Sequence, residues 1–301
     1  MFVLQGILPV LPTPFLPDGA IDPAGMERIV DFALACGADG MVFPGFASEV
    51  DELTAEERIS LLQLVVRRIG GRVPVVAGAS AATVDEAVAH SRAAMATGVD
   101  TVMIQAPRSV GAGTAAVAGF YAAIAAQVPG LTIVLQNAPA PRGSDLSPQT
   151  ILEIVRDNPA IAYVKEETLP SGGPISAILA GAPPHLRGVL GGGGARYIVE
   201  EYLRGACGAM PAVELTDVHV ALDRAFRAGE LETARDLYMR SLPLLLVQAN
   251  FRMRFTKHVL TRRGVLQSDV VRARLPVLDR HDVEEIDAWL ARLADMLTVR
   301  P

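Results

Sequence analysis

Apolar runs of strand length alternate with helix-patterned segments through the first two thirds of this 301-residue chain, and that alternation restricts its fold more than any other feature. The runs fall at about 6–11, 40–43, 73–78, 100–105, 131–136, 161–165, 187–191 and 207–211. Between them stand helix-start signals: Asp22-Pro23 as N-cap and first helical residue before Met26, Ile29, Val30 and Leu34, and the capping boxes Thr54…Glu57 and Thr83…Glu86. Strands separated by helices run parallel, because a tight hairpin cannot join parallel neighbours. The segments "GADGMVFPG" (37–45), "GVDTVMIQAP" (98–107) and "GACGAMPA" (205–212) echo one another, each with a Gly at a helix end, a tight connection and then a strand. Eight such units in about 210 residues fit an α/β fold of the closed (β/α)₈ kind. An open doubly wound sheet would need fewer strands and usually a Gly-rich first turn, which "LQGILPV" lacks.

From about residue 215 the strand signals stop and helix follows helix. This places a barrel over 1–214 and a C-terminal helical domain over 215–301. Within the latter, "VEEIDAWLARLADML" (283–297) puts Ile286, Trp289, Leu290, Leu293 and Met296 on one face, suited to packing on the barrel or on another subunit. No chemistry is legible in this domain.

Half of the residues are apolar, enough for a sizeable core, and the net charge of −6 is mixed along the chain. That balance offers no basic field for nucleic acid or for an anionic membrane, so a small molecule is the expected partner. The start "MFVLQGILPVLPTPF" has no basic region ahead of its apolar stretch and is cut by prolines, unlike a secretory signal. The leucine-rich run "LPLLLV" (242–247) is far short of a membrane span. Cys36 and Cys207 have no CxxC spacing, which fits a reducing cytoplasm without a disulfide framework.

In a barrel of this kind the chemistry sits at the C-terminal strand ends. Those positions hold Gly45 to Glu49, Gln105, Gln136, Lys165, Gly191 to Gly194 and Met210. Of the 27 basic side chains only Lys165 and Lys257 are lysines, and only Lys165, in "AYVKEET", enters the ring of strand ends. Burial disfavours a charged amine and lowers its pKa, which suits a nucleophile that must be neutral to condense with a ketone. The alternative is a structural ion pair with Glu49, Glu166 or Glu167. Lys257, in the basic segment "RMRFTKHVLTRRG", is the natural control. The five histidines are scattered with no pair at metal-ligand spacing, so neither a metal nor a cofactor is expected.

Along nearly its whole length the chain resembles the dihydrodipicolinate synthase and N-acetylneuraminate lyase family of class I aldolases. "GILPVLPTPFLPDGAID" is similar to the family's TPF segment, "GFASEVDELTAEER" to its Gly-x-x-Gly-Glu stretch, "LQNAP" to its Tyr-Asn-x-Pro motif and "AYVKEE" to its Schiff-base motif. The resemblance implies a barrel with a helical C-terminal domain, often a homotetramer, whose Lys165 forms an imine with pyruvate or a longer 2-oxo acid. It also implies departures. Gln136 stands where the lysine-pathway synthases carry a tyrosine, and "QAPRS" lacks the second phenol of their proton relay. Phe46 and Ala47 replace two threonines, leaving the Ser48 hydroxyl to help bind a carboxylate. Arg142 lies one place beyond the synthases' substrate-binding arginine, and that role is not carried over to it.

"LQNAP", "KEE" and "RRGV" instead resemble the branch containing 2-keto-3-deoxy-pentonate dehydratases. There an imine acidifies the C3 proton and loss of the C4 hydroxyl completes a dehydration. Gln136 can orient a substrate oxygen but cannot titrate, so Glu167, Glu49 or the substrate's own carboxylate must move the proton. The rival for Glu166 and Glu167 is loop or helix N-terminal charge, and for Glu49 a loop-bracing hydrogen bond is preferred to catalysis. The run "LGGGGARYI" (190–198) can cradle a phosphate, turn tightly beside a bulky substrate or admit a carboxylate. The expected site is therefore Lys165, Gln136 and Glu167 for chemistry, with Ala47, Ser48, Gly192 and Met210 at the substrate. The expected reaction is dehydration of a 2-keto-3-deoxy sugar acid, or retro-aldol cleavage releasing pyruvate, by a homo-oligomer; the alternatives are synthase-type condensation of pyruvate with an aldehyde, or a 2-oxo acid-binding protein that kept the barrel and lost turnover.

Overall fold

The computed structural model describes residues 3–299 apart from residues 112 and 141; the outermost residues of the two ranges expected above lie outside it. Eight parallel strands form one sheet in the order β1-β8-β7-β6-β5-β4-β3-β2. They are β1 Gly6–Ile7, β2 Met41–Val42, β3 Val75–Gly78, β4 Thr101–Ile104, β5 Thr132–Asn137, β6 Ile161–Glu166, β7 Gly188–Gly191 and β8 Gly208–Ala209. A bridge between Val10 and Val42 closes the ring. All eight expected strands are present, but β1 is regular over only two residues. Pairing nonetheless continues along the expected span, with Leu8 N donating to Ala209 O and Leu11 N to Val42 O, both at 3.0 Å. Pro9 has no N–H to donate, which interrupts the regular ladder.

The helices begin where their caps predict. Asp22 accepts from Gly25 N at the head of α1 (Pro23–Ala35), and Thr54 and Thr83 close capping boxes with Glu57 and Glu86 at α2 (Ala55–Ile69) and α3 (Val84–Ala96). Next come α4 (Thr114–Gln127), α5 (Pro148–Asp157), α6 (Gly172–Ala180), α7 (Ile198–Leu203) and α8 (Thr216–Arg227). Because α8 packs on β1, it takes the place of the eighth barrel helix, so the helical stretch from 215 begins within the barrel's own outer ring.

Beyond it, α9 (Leu231–Phe251), α10 (Met253–Arg262) and α11 (Arg280–Arg292) form the C-terminal helices. Ile286, Leu290, Leu293 and Met296 join a cluster with Ile7, Ala209 and Ile198, so this apolar face is buried against the barrel of the same chain. A separate cluster including Leu8, Val76, Val134, Leu190 and Met210 fills the barrel interior. Among the described residues no helix is long and apolar enough to cross a membrane.

Candidate active site

Side chains alternate along a strand, so on β6 Lys165 points into the barrel and Glu166 away from it, and Glu167 follows on the Lys165 side. Register places Gln136 of β5 directly beside Lys165. Lys165 Nζ lies 2.8 Å from Glu167 Oε1, and Gln136 Nε2 donates to that same oxygen at 2.9 Å. Arg142 pairs with the other oxygen, Glu167 Oε2. The fold thus brings together the three residues expected to carry chemistry.

Lys165 is 4% exposed, and burial, followed by the nearby Arg142 charge, pulls its pKa down from the usual 10.5 to about 7. The Glu167 carboxylate acts in the opposite sense, but it is shared with Arg142 and Gln136, so the depression prevails.

Glu166 is not part of this group. Its carboxylate accepts from Asn137 Nδ2 at 2.9 Å and Thr168 N at 2.7 Å, outside the barrel interior, and burial raises its pKa. Glu49 accepts from Lys257 Nζ at 2.5 Å and from the backbone N–H groups of Arg272 and Ala273 at 2.7 and 2.8 Å, the bracing arrangement.

A cavity of about 250 Å³ opens above Lys165, its wall including Glu167, Ala47 and Met210. Two residues expected at the substrate are placed differently. The Ser48 hydroxyl is buried, donating to Leu11 O at 2.5 Å and accepting from Gly45 N at 2.8 Å. It holds the loop after β2 together and has no proton left for a carboxylate. Gly192 lies under Glu167, whose Cγ would stand 2.2 Å from a Cβ at that position, so its lack of a side chain makes room for Glu167. Gly193 and Gly194 line the cavity instead.

Several wall residues were not anticipated, among them Arg196, Gln248 and Arg252. The last two come from the C-terminal helices, where no chemistry was legible, because α9 ends against the glycine turn after β7. Arg142 stands over the Phe46 ring at 5.0 Å, and this pair divides the Lys165 cavity from a neighbouring one of about 430 Å³ that Gln136 lines. No tyrosine lines either cavity among the described residues. Nor do the described residues hold a group of three or more His, Cys, Asp or Glu placed to bind a metal.

Fold and cavity define a (β/α)₈ protein that keeps one amine and one carboxylate buried together at its strand ends. Residues 3–292 match the dihydrodipicolinate synthetase family, and the chain belongs to it. Its enzymes are Schiff-base class I lyases. The 4-hydroxy-tetrahydrodipicolinate synthase of Stenotrophomonas maltophilia (strain R551-3) is 36% identical over 177 residues, a match that spans 59% of each chain. The L-2-keto-3-deoxyarabonate dehydratase of Azospirillum brasilense is 29% identical over 300 residues, covering 98% of this chain and 96% of that one. In three dimensions the chain is similar to the dihydrodipicolinate synthase of Rhodopseudomonas palustris, with TM-score 0.89, 27% identity and coverage of 96% and 98%.

Proposed function

We propose that the protein is a Schiff-base lyase acting on a small hydroxylated 2-oxo acid, with Lys165 as the imine-forming residue. The observation that carries this reading is the Lys165 amine, whose pKa burial pulls down to about 7 and which opens onto a cavity beside a fixed carboxylate. A neutral fraction of the amine is therefore present near pH 7 to attack the C2 carbonyl, and loss of water gives the iminium. In a dehydration the C3–H bond then breaks, its electrons forming the enamine while the proton goes to Glu167. The enamine expels the C4 hydroxyl, which leaves with a proton as water, and hydrolysis returns the amine. In a retro-aldol cleavage the C3–C4 bond breaks instead, and the C4 hydroxyl loses the proton. Gln136 holds the Glu167 oxygen that faces Lys165.

Similarity along the chain does not separate the two reactions, since a dehydratase and a synthase each match over nearly their full length; the lack of a tyrosine in either cavity among the described residues is what favours a 2-keto-3-deoxy sugar acid over synthase-type condensation. The family resemblance supports a homo-oligomer, dimer or tetramer. Borohydride trapping against a panel of 2-oxo acids, read by intact mass, tests the reading. An adduct on Lys165 is expected, and no adduct with any acid sinks it. Robust condensation of pyruvate with aspartate semialdehyde would overturn the choice of reaction.

A further inference from the structure

We propose that the Lys165 cavity takes a 2-oxo acid carrying a second anionic group at its far end, a carboxylate or a phosphate, held by Arg196 and Arg252. This rests on the Schiff-base reading of the same site and specifies its substrate class. The cavity wall contributes three guanidiniums and one amine against a single carboxylate, Glu167. Glu167 is already paired with Arg142. Among the described residues no salt bridge reaches Arg196 or Arg252. Both are partly buried.

Charge matching gives the inference its direction. In a bound imine the substrate's own carboxylate balances the iminium, and Glu167 balances Arg142. Two guanidiniums then face the cavity with no further carboxylate in its wall; Glu201, whose charge acts on Arg196, does not line it. Partial desolvation makes that costly, and burial lowers the pKa of each, with the Arg252 charge adding to the effect on Arg196. An anion between them removes the cost and makes charge-assisted hydrogen bonds, which guanidinium groups form in pairs with carboxylate or phosphate oxygens.

The backbone places both residues for this. Arg196 follows the glycine turn Gly193–Ala195, and Gly193 and Gly194 leave the cavity wall open beside it. Arg252 is held at φ 53, between α9 and α10, a conformation a residue with a side chain adopts only under constraint. Its guanidinium lies 5.9 Å from the centre of the Phe46 ring, and the Arg142 guanidinium lies 5.0 Å from the same centre. The subsite is assembled from the β7–α7 connection and the C-terminal helices, at the mouth of the cavity whose floor is Lys165.

The test uses three 2-oxo acids of matched length whose tails end in a hydroxyl, a carboxylate or a phosphate. The half-saturating concentration of each is read from the borohydride-trapped adduct by intact mass. An acid with a charged tail is expected to half-saturate at roughly tenfold lower concentration, or lower still, than the hydroxyl-tailed one. That ratio is expected to fall to about one in Arg196→Gln/Arg252→Gln, with the larger of the two advantages identifying the anion. Equal half-saturation of all three acids in the wild-type protein overturns the subsite, and so does a ratio that survives the double substitution. Should the double variant not fold, the single variants Arg196→Lys and Arg252→Lys take its place, each expected to retain only part of the ratio. If no acid is trapped, the imine reading fails on its own. Calorimetric titration of inorganic phosphate and of glutarate into wild-type and variant protein then decides: binding lost in the variant supports the subsite, and binding absent or unchanged overturns it.

Discussion

Lys165 and Lys257, the only two lysines of the chain, are both buried, and burial pulls the pKa of both down, to about 7 and about 8. They differ in what surrounds the amine. Lys257 is enclosed: its Nζ donates to Glu49 Oε1 at 2.5 Å and Val270 O at 2.8 Å and lies 4.0 Å from the centre of the Phe15 ring. Its carboxylate partner is spent on it and on two backbone N–H groups. Lys165 has a carboxylate shared with two other donors and a cavity in front of it. A depressed lysine pKa is therefore no mark of a nucleophile. Access to a cavity is what distinguishes the two, and Lys257 turns out to be a stricter control than a surface lysine would be.

The largest expected effect comes from removing one amine and keeping the other. Lys165→Ala should abolish the borohydride adduct and lower turnover by roughly 10³-fold or more, as loss of a covalent nucleophile does. Peptide mapping of the wild-type adduct checks the same point, and a label on Lys257 would reverse the assignment. Lys257→Met should do the opposite. It leaves Glu49 buried without its ion-pair partner, at a cost of about 3–5 kcal/mol read from the denaturant midpoint, while the protein that remains folded still forms the imine. A variant with unchanged stability would show that the pair does not brace the fold.

A smaller effect is expected at the residue beside Lys165. Gln136→Ala should still form the imine, because the nucleophile is untouched, while turnover falls by roughly the 1–3 kcal/mol of a lost buried hydrogen bond. Unchanged turnover would remove Gln136 from the site, and loss of the adduct would place its action before the iminium.

The smallest effect is in pH. Only the neutral amine attacks, so the initial rate of adduct formation should rise with pH and level off through an inflection near 7, a change of roughly tenfold between pH 6 and 8. The sign for stability is the same. A folded-state lysine pKa below the usual 10.5 means that the unfolded chain binds more protons, so Lys165 contributes rising stability from about pH 7 towards 10.5. An inflection near 10 would mean that the amine is not desolvated as described.

Much of this was legible from local signals. Caps such as Asp22-Pro23 and Thr54…Glu57 act within one helical turn, and the alternation of apolar runs with them sets the barrel. Lys165, Gln136 and Glu167 could be brought together because strand ends converge in that fold and neighbouring parallel strands share a register. Ser48 could not be placed from its type alone, since whether a hydroxyl faces a ligand or closes its own turn depends on acceptors distant in sequence, here Leu11 O. The choice of Gly192 missed by one residue for a similar reason: its place under Glu167 depends on the path of a side chain from the neighbouring strand.

What the sequence by itself determined is therefore the set of elements, their parallel order and one lysine at a strand end, because each follows from periodicity, caps and burial cost acting over a few residues. The tertiary structure alone decided which charges meet. Glu49 goes to Lys257, 208 positions away, and Arg252 comes from beyond the barrel to face Lys165. No local pattern encodes such pairings, since they depend on how the C-terminal helices dock across the strand ends and on which polar groups that docking leaves to be satisfied by one another.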